Sequence, residues 1–318
     1  MKQDHKILFI TEKYTDGDPN ALLTNNFHNL FGSLDASGLD IPYHNLFLDE
    51  LFHNRIHVDQ VLEHTTFSYL PTIAIFSLLG DSPMNPSNEA ISQIKKLGVK
   101  TIFLWPDTGF SWAINRINSL GHLADLHVSW GGDEVQHAFL HKHLWMWAPQ
   151  DERLYFPAEK DFQDIDASFL GSLRYPDRQD FCRHIQNNTS NILIHGGQRE
   201  NKLSPAHYAE LMRRSKISIN FSGSPCGIPQ IKGRVMEVLA SRSMLLEQKN
   251  PATKKHLIPD KHYVSFNSPE DLLKKVEYYL KHEEERVMIS QNGYEKYLDT
   301  FASEHFWTEI IERVEKDG

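Results

Sequence analysis

Short, almost continuous apolar runs alternate along this chain with stretches in which apolar residues recur at helical spacing. Runs of this kind are typical of strands buried on both faces, and parallel sheets need a helix between successive strands. The first half contains four such runs, at residues 6–11, 71–80, 100–107 and 124–132. Helical patterns lie at about residues 88–97, 111–120 and 133–141. The alternation therefore predicts a parallel α/β sheet.

The first strand is also expected to lead into a helix. Asp18 and Pro19 have the character of an N-cap and a first helical residue. The apolar residues that follow at helical spacing are Leu23, Phe27, Leu30, Phe31 and Leu34. This pattern predicts a helix that begins at about residue 19.

Residues 147–162 interrupt the alternation with a polar segment that fits neither period. A second series follows, with strands at 166–172, 191–197, 216–223, 243–247 and 262–266 and helices at 229–241, 268–280, 283–300 and 303–316. The sequence thus predicts two doubly wound, Rossmann-like domains, at residues 1–150 and 151–300, with a helix at 301–318 that packs back on the first. Ligands bind at the carboxyl ends of strands in such sheets, so we expect the site in the cleft between the domains.

Composition narrows the class of protein. A chain of 318 residues with 40% hydrophobic and 24% charged residues is typical of a globular protein with two domains. A net charge of −9 argues against binding to a nucleic-acid polymer. The two cysteines exclude a disulfide framework, and the sequence shows neither a signal peptide nor an apolar run of about 20 residues that would span a membrane. We therefore expect a cytoplasmic protein.

The predicted helix at 229–241 is apolar except for one narrow polar stripe. Gln230, Arg234, Glu237 and Ser241 fall on the same face of a helical wheel. Arg234 and Glu237 are three residues apart, and the simplest interpretation is that they pair with each other.

A second interpretation is functional. The helix follows a strand and a loop that contains Gly227, so its N-terminus is expected at the ligand edge of the sheet. The free N–H groups and the dipole of a helix N-terminus favour the binding of phosphate. Lys232 and Arg234 would add charge-assisted hydrogen bonds to a diphosphate. Glu237 would then accept hydrogen bonds from the hydroxyls of a ribose. A nucleoside diphosphate satisfies both halves of the stripe.

These residues carry a family resemblance. The strand that ends at Phe169 to Ser172, the Lys-x-Arg-x-x-Glu helix at 232–237 and the helix after the Tyr-x-x-Phe strand at 263–266 resemble the C-terminal domain of GT-B glycosyltransferases. The closest group is the CgeB-like, spore-maturation branch, which is related to glycosyltransferase family 4. The resemblance covers about residues 145–300.

The resemblance implies the two-domain GT-B fold and transfer of a sugar from a nucleotide-diphosphate donor. Lys232 and Arg234 would bind the diphosphate and Glu237 the ribose, with no metal required. The turn at Gly171 and Ser172 would lie under the phosphates. Arg174 or Arg178 would be nearby. The acceptor is left open as a carbohydrate, a protein or a small molecule.

Two positions depart from the family pattern. Family 4 often has a second glutamate eight residues before the ribose glutamate, where this chain has Pro229. The family also tends to have glycine five residues after that glutamate, where this chain has Arg242. The first departure leaves the stereochemistry of transfer open.

Candidates in the first half follow strand ends. Asp16 lies in the loop after the first strand and would position or deprotonate an acceptor hydroxyl, whereas helix capping is the simpler role for its neighbour Asp18. Asp107 ends the third apolar run and is therefore a further candidate for a catalytic residue in the predicted cleft. His127 and His195 are expected at strand ends, as acid–base groups or phosphate ligands, although a structural role is the commoner one for such histidines.

Other motifs carry less weight. His137 and His141 have a spacing that zinc uses, but no further ligand accompanies them, so a surface helix is favoured. A Gly-x-Gly-x-x-Gly fingerprint is absent, which argues against a dehydrogenase. Two alternatives to glycosyl transfer stay open: a protein that binds a nucleotide sugar without turnover, and a nucleotide-sugar epimerase of the same fold.

Overall fold

The computed structural model describes residues 5–25, 27–106, 108, 110–130, 139–159, 162–196, 202–222 and 230–317. The chain forms two compact units. Unit 1 comprises Met1–Trp147 and Glu304–Gly318, and unit 2 comprises Ala148–Ser303. No helix in the described part of the chain is long and apolar enough to cross a membrane.

Unit 1 is built on a sheet of six parallel strands in the order β2-β1-β3-β4-β5-β6. The strands are β1 (Ile7–Thr11), β2 (Tyr43–Phe47), β3 (Ile73–Ser77), β4 (Lys100–Trp105), β5 (Leu126–Ser129) and β6 (His143–Trp145). The helices of its first segment are α1 (Ser33–Ala36), α2 (Leu48–His53), α3 (Val58–Tyr69), α4 (Asn88–Lys96) and α5 (Ser111–Leu120). Separate apolar clusters cover the two faces of the sheet, which explains its continuous apolar strands.

Unit 2 has a sheet of five parallel strands in the order β11-β10-β9-β7-β8. The strands are β7 (Ile165–Leu170), β8 (Ile192–His195), β9 (Ser215–Asn220), β10 (Met244–Gln248) and β11 (Val264–Phe266). The helices are α6 (Pro176–Gln186), α7 (Pro205–Arg214), α8 (Gly233–Ala240), α9 (Pro251–His256), α10 (Pro269–Lys281) and α11 (Glu283–Thr300). The Ser268 hydroxyl accepts a hydrogen bond from the Asp271 N–H, as expected at the start of α10.

The last helix, α12 (Ser303–Asp317), supplies part of the core of unit 1. Phe306 and Trp307 are fully buried there among residues of the sheet. The Trp307 indole N–H donates to the Ser33 hydroxyl at 3.0 Å, so the polar group of this buried ring is satisfied.

Both sheets share one topological feature. In unit 1, β1 lies between β2 and β3, and in unit 2, β7 lies between β8 and β9. The chain leaves the first strand of each unit on one side and returns on the other. The carboxyl ends of β1 and β3, and those of β7 and β9, are therefore switch points, where doubly wound sheets bind ligands.

The predicted parallel α/β class is confirmed, and three local predictions are wrong. The helix expected from residue 19 begins at Phe27 with a π-helical segment, Phe27–Gly32, that leads into α1. Asp18 does not cap a helix, because residues 19–25 are not helical, and its side chain instead accepts the Asn20 N–H at 3.0 Å in a turn. The helix expected at 229–241 begins at Gly233.

The two histidines with zinc-like spacing are only partly described. Residues 131–138, and with them His137, lie outside the described residues, whereas His141 lies in a 3-10 turn, Leu140–Lys142.

Arg242, one of the two departures from the family pattern, follows α8 with a φ of +52°, which favours glycine. Its guanidinium Nη2 donates to the Ala158 carbonyl at 3.2 Å. The side chain thus contributes a tertiary contact at a position where the backbone is strained.

Two substitutions at this position separate the contact from the strain. Arg242→Ala and Arg242→Gly both lose the bond to Ala158, but only glycine relieves the left-handed backbone. We expect the glycine variant to have the larger free energy of unfolding by about 1 kcal/mol, measured by denaturant titration. Equal stability of the two variants would show that the backbone at this position is not strained.

Candidate functional site

Arg234 lies at the switch point of unit 2. Its guanidinium carbon is 5.2 Å from the ring centroid of Phe169 on β7. Its Nη1 donates to the side-chain oxygen of Asn220, the last residue of β9, at 3.0 Å. The guanidinium is thus held over the carboxyl ends of the two strands between which the connection reverses.

Helix α8 begins at Gly233, later than the sequence predicts, and Arg234 therefore lies in its first turn. The Gln230 carbonyl accepts a hydrogen bond from the Asn250 amide at 2.8 Å, and residues 230–232 are not helical. Lys232 is therefore the N-cap residue and not a member of the first turn. Its ammonium donates to the Gln230 side chain at 2.6 Å. Pro229 and Gly227, a predicted phosphate contact, lie outside the described residues.

Gly171 follows β7 and packs directly against Arg234. A Cβ added at Gly171 would lie 2.3 Å from Arg234 Nη2, so even alanine would displace the guanidinium. The Gly171 N–H donates to the carbonyl of His195, the last residue of β8, at 2.9 Å. Arg234 Nη2 makes no hydrogen bond to any residue that the structure describes, which leaves its two protons for a ligand.

Arg178, on α6, adds a second positive charge at this edge. It is 8% exposed and its nitrogens donate to the carbonyls of Ser172 and Phe221, both at the long distance of 3.4 Å. Burial, and then the charge of Arg234, lower the pKa of Arg178. The two guanidiniums therefore repel each other, and an anion beside both of them would offset that repulsion.

Glu237 lies one turn along α8 from Arg234 and faces the same region. Its Oε2 accepts the Tyr208 hydroxyl proton at 2.8 Å, and the same hydroxyl oxygen accepts from Arg234 Nε at 3.1 Å. Burial raises the pKa of Glu237, and the charge of Arg234 opposes that shift. The direct Arg–Glu pair, the simplest expectation from sequence, is replaced among these described side chains by a bridge through Tyr208.

Glu247 and Tyr208 were not predicted as site residues. Glu247, on β10, is fully buried and accepts from Asn220 at 2.7 Å, from Thr253 at 3.2 Å and from Ser222. These donors compensate the burial of its charge. Because the Asn220 amide N–H is engaged by Glu247, its oxygen faces Arg234.

In unit 1, two of the three predicted catalytic residues are described. Asp16 is exposed in the 3-10 turn Thr15–Gly17, with a φ of 59°. His127 does not lie at the carboxyl end of its strand, as expected, but is the second residue of β5. It is fully buried and accepts the Trp105 indole N–H at 3.0 Å, so it has the surroundings of a structural residue. Asp107 lies outside the described residues.

Glu12, which sequence reasoning missed, directly follows β1 at the switch point of unit 1. Its Oε2 is buried and has no hydrogen-bond partner among the described residues. Burial, followed by the charges of Asp16 and Asp49, raises the pKa of Glu12 from 4.5 to about 7, although the Gly17 backbone lowers it. A carboxyl that titrates near neutrality is suited to proton transfer.

A cavity of about 280 Å³ lies in unit 1, and Met84 is one of the residues that line it. A Cβ built on Gly17 would lie 3.0 Å from the Met84 sulfur, and the Gly17 backbone hydrogen-bonds Glu12. Gly17 therefore lies between Glu12 and the wall of this cavity. The other apolar side chains of the lining are Leu48, Phe52, Ile56, Val58 and Pro83.

In neither unit do three or more described His, Cys, Asp or Glu side chains gather as metal ligands would. What the edge of unit 2 offers instead is two guanidiniums, a helix N-terminus and a carboxylate one turn away. This combination can bind two linked phosphates and a diol.

The raised pKa of Glu12 makes stability depend on pH. Between about pH 4.5 and 7 the unfolded chain ionises Glu12 while the folded chain keeps it protonated, so its contribution becomes unfavourable as pH rises. Glu12→Gln removes this cost. We expect it to raise the free energy of unfolding at pH 8 by up to about 3 kcal/mol and to change it little at pH 4, in denaturant titrations at both pH values. An equal change at both pH values would contradict the raised pKa.

Comparison with known proteins adds a family match and a fold match. The family model described as Glycosyl transferase-like matches residues 156–312, which include every described candidate of unit 2. None of the curated protein sequences matches the chain significantly.

Solved structures match over nearly the whole chain. Anabaena HepE in complex with UDP and glucose has a TM-score of 0.64 at 12% identity, covering 98% of this chain and 99% of its own. Sucrose-phosphate synthase from Thermosynechococcus elongatus has a TM-score of 0.63 at 11% identity, covering 99% and 100%. A proposed UDP-N-acetylglucosamine 2-epimerase from Listeria monocytogenes has a TM-score of 0.59 at 13% identity, covering 99% and 98%. The chain therefore has the fold of the GT-B glycosyltransferases, and its second half matches a glycosyl transferase-like family.

Proposed function

We propose that this protein is a glycosyltransferase that moves a sugar from a nucleotide-diphosphate donor to a hydroxyl-bearing acceptor. The observation that carries the proposal is the pair of guanidiniums, Arg234 and Arg178, at the switch point of unit 2. A ligand with two negative charges beside both guanidiniums would offset the repulsion between them. The family match over this same unit supports the reaction class.

The donor is proposed to bind with its diphosphate at Arg234 Nη2 and Arg178, near Gly171 and Ser172. Lys232 lies beside the start of α8 and adds a third positive charge. Glu237 then accepts hydrogen bonds from the ribose hydroxyls. UDP is the nucleotide to test first, because HepE, which shares the fold, was crystallised with UDP and glucose.

These residues would act when the bond between sugar and diphosphate breaks. Negative charge then develops on the leaving phosphate, and fixed positive groups around it stabilise the transition state. Two guanidiniums and a helix N-terminus can supply this charge. We therefore propose that transfer does not depend on a metal ion, which makes its persistence in EDTA a direct check.

On the acceptor side, the proposed proton acceptor is Glu12, with Asp16 beside it. The acceptor hydroxyl loses its proton during transfer, and Glu12 combines a pKa near neutrality with an unpartnered oxygen among the described residues. The neighbouring cavity would hold the body of the acceptor. Asp107 stays a prediction.

We also propose to which branch of the glycosyltransferases this protein belongs. The spacing of Lys232, Arg234 and Glu237 is that of the CgeB-like branch related to family 4. Pro229, at the position of that family's second glutamate, removes one contact to the donor sugar. The stereochemical outcome is best determined by NMR of the product.

The central test replaces Arg234. Arg234→Ala is expected to lower kcat/KM more than tenfold, which corresponds to at least about 1.4 kcal/mol of transition-state stabilisation, with the fold intact by circular dichroism. Donors are first selected by their effect on Tm in a panel of nucleotide sugars, since a bound ligand raises stability. Transfer is then measured with and without EDTA.

Arg183→Ala is the matched control. Arg183 lies on α6 like Arg178, but it is exposed and pairs with Asp180 at 3.0 Å. We expect its kcat/KM to equal that of the wild type. Unchanged turnover in Arg234→Ala would remove this residue from its role. A donor that is bound but never transferred, or one that is isomerised without an acceptor, would instead identify a binding protein or an epimerase.

The acceptor side has its own test. Glu12→Gln should bind UDP as tightly as the wild type, because Glu12 belongs to unit 1 and the proposed donor residues to unit 2. It should lose most of its transfer activity, because glutamine cannot accept the proton. UDP titration by calorimetry and a transfer assay at pH 7 to 8 measure both effects. Full activity in this variant would exclude Glu12 as the proton acceptor.

A further inference from the structure

Arg234 and Glu237 carry opposite charges three residues apart on one face of α8. Such pairs attract each other along a helix, and a direct ion pair would consume the groups that the ligand needs. The Tyr208 hydroxyl lies between them, 3.1 Å from Arg234 Nε and 2.8 Å from Glu237 Oε2. Tyr208 belongs to another helix, α7, and reaches both side chains from outside α8.

The bridge leaves the outward groups of both side chains in place. Arg234 is anchored through Nε and Nη1, and its Nη2 is directed at Gly171. Glu237 is anchored through Oε2, and its Oε1 lies on the side of Gly233, at the start of α8. Two anchored nitrogens fix the plane of the guanidinium, which matters for a group that binds phosphate through a rigid fork.

Tyr208 can perform this role only while it keeps its proton. Burial raises the pKa of Tyr208 above its ordinary value, so the phenol is neutral at physiological pH. A neutral hydroxyl has one proton to donate, to Glu237, and a lone pair to accept with, from Arg234. Both bonds are charge-assisted, and neither partner has to give up its charge.

We propose that Tyr208 is a positioning residue that keeps Arg234 and Glu237 apart, so that one can bind the diphosphate and the other the ribose. The inference rests on the proposed function, because it assigns Tyr208 to the same donor site. Without the hydroxyl, the arginine and the glutamate collapse into a direct pair, and Arg234 leaves the carboxyl edge of β7.

The test is Tyr208→Phe, which removes one oxygen and keeps the ring. Calorimetry is carried out with inorganic pyrophosphate, which reports on the phosphate contacts, and with UDP, which also reports on the ribose. We expect pyrophosphate affinity to fall about tenfold, the factor that one charge-assisted hydrogen bond can account for, and UDP affinity to fall further. In an Arg234→Ala background, Tyr208→Phe should have no further effect on pyrophosphate.

Tyr297→Phe is the matched control. Its hydroxyl donates to the Glu152 carboxylate at 2.7 Å, again within unit 2, so this variant also loses a tyrosine–carboxylate bond. We expect its Tm to fall and its affinity for both ligands to stay at the wild-type value.

Two outcomes separate the failure of this inference from that of the proposed function. If Arg234→Ala and Glu237→Gln bind pyrophosphate and UDP like the wild type, the donor site itself is wrong. If both variants lose affinity while Tyr208→Phe does not, the site stands and Tyr208 has no positioning role. An equal loss in Tyr208→Phe and Tyr297→Phe would also overturn the inference, because it would show a general effect of stability.

Discussion

The hydrogen-bonded network around the partly buried Arg234 guanidinium joins α7, α8, β9 and β10 of unit 2. Burial lowers the pKa of Arg234, but Tyr208, Glu237 and Glu247 outweigh this effect, so the group keeps its charge. Each neighbour is itself held by further hydrogen bonds, and Glu247 is compensated by several donors. Because an unpaired buried charge is costly, the hydrogen bonds of this network offset the burial of its charged members, and they hold one nitrogen of Arg234 toward the edge of the sheet.

Much of the fold could be predicted because buried parallel strands are nearly continuous in apolar residues. The two strands that were missed, β2 and β6, break this rule. β2 contains His44 and Asn45 and is only partly buried, and β6 has three residues. Neither carries the apolar run by which the other strands were recognised. Local sequence also placed α8 too early, since a tertiary bond from Asn250 to the Gln230 carbonyl decides where that helix starts.

Some residues of the candidate site could likewise be predicted from the sequence, and others could not. Arg234 and Glu237 could be predicted because their spacing on one helix is visible in the sequence. Tyr208 and Glu247 could not, because they reach the same place from α7 and β10, far apart in the chain. The sequence predicts Asp16 and not Glu12, because residue type alone does not show which of two loop carboxylates is buried. Only burial and the neighbouring charge of Asp49 distinguish them.

The membership of α12 in unit 1 has a consequence for biosynthesis. Trp307 and Phe306 belong to a core whose other residues begin at Ile7, so that core stays incomplete until α12 has been translated. The intervening unit 2 is continuous in sequence and can fold earlier, while the nascent first segment still exposes apolar surface. During translation the vulnerable state is therefore the amino-terminal portion, and chaperone binding would be concentrated there.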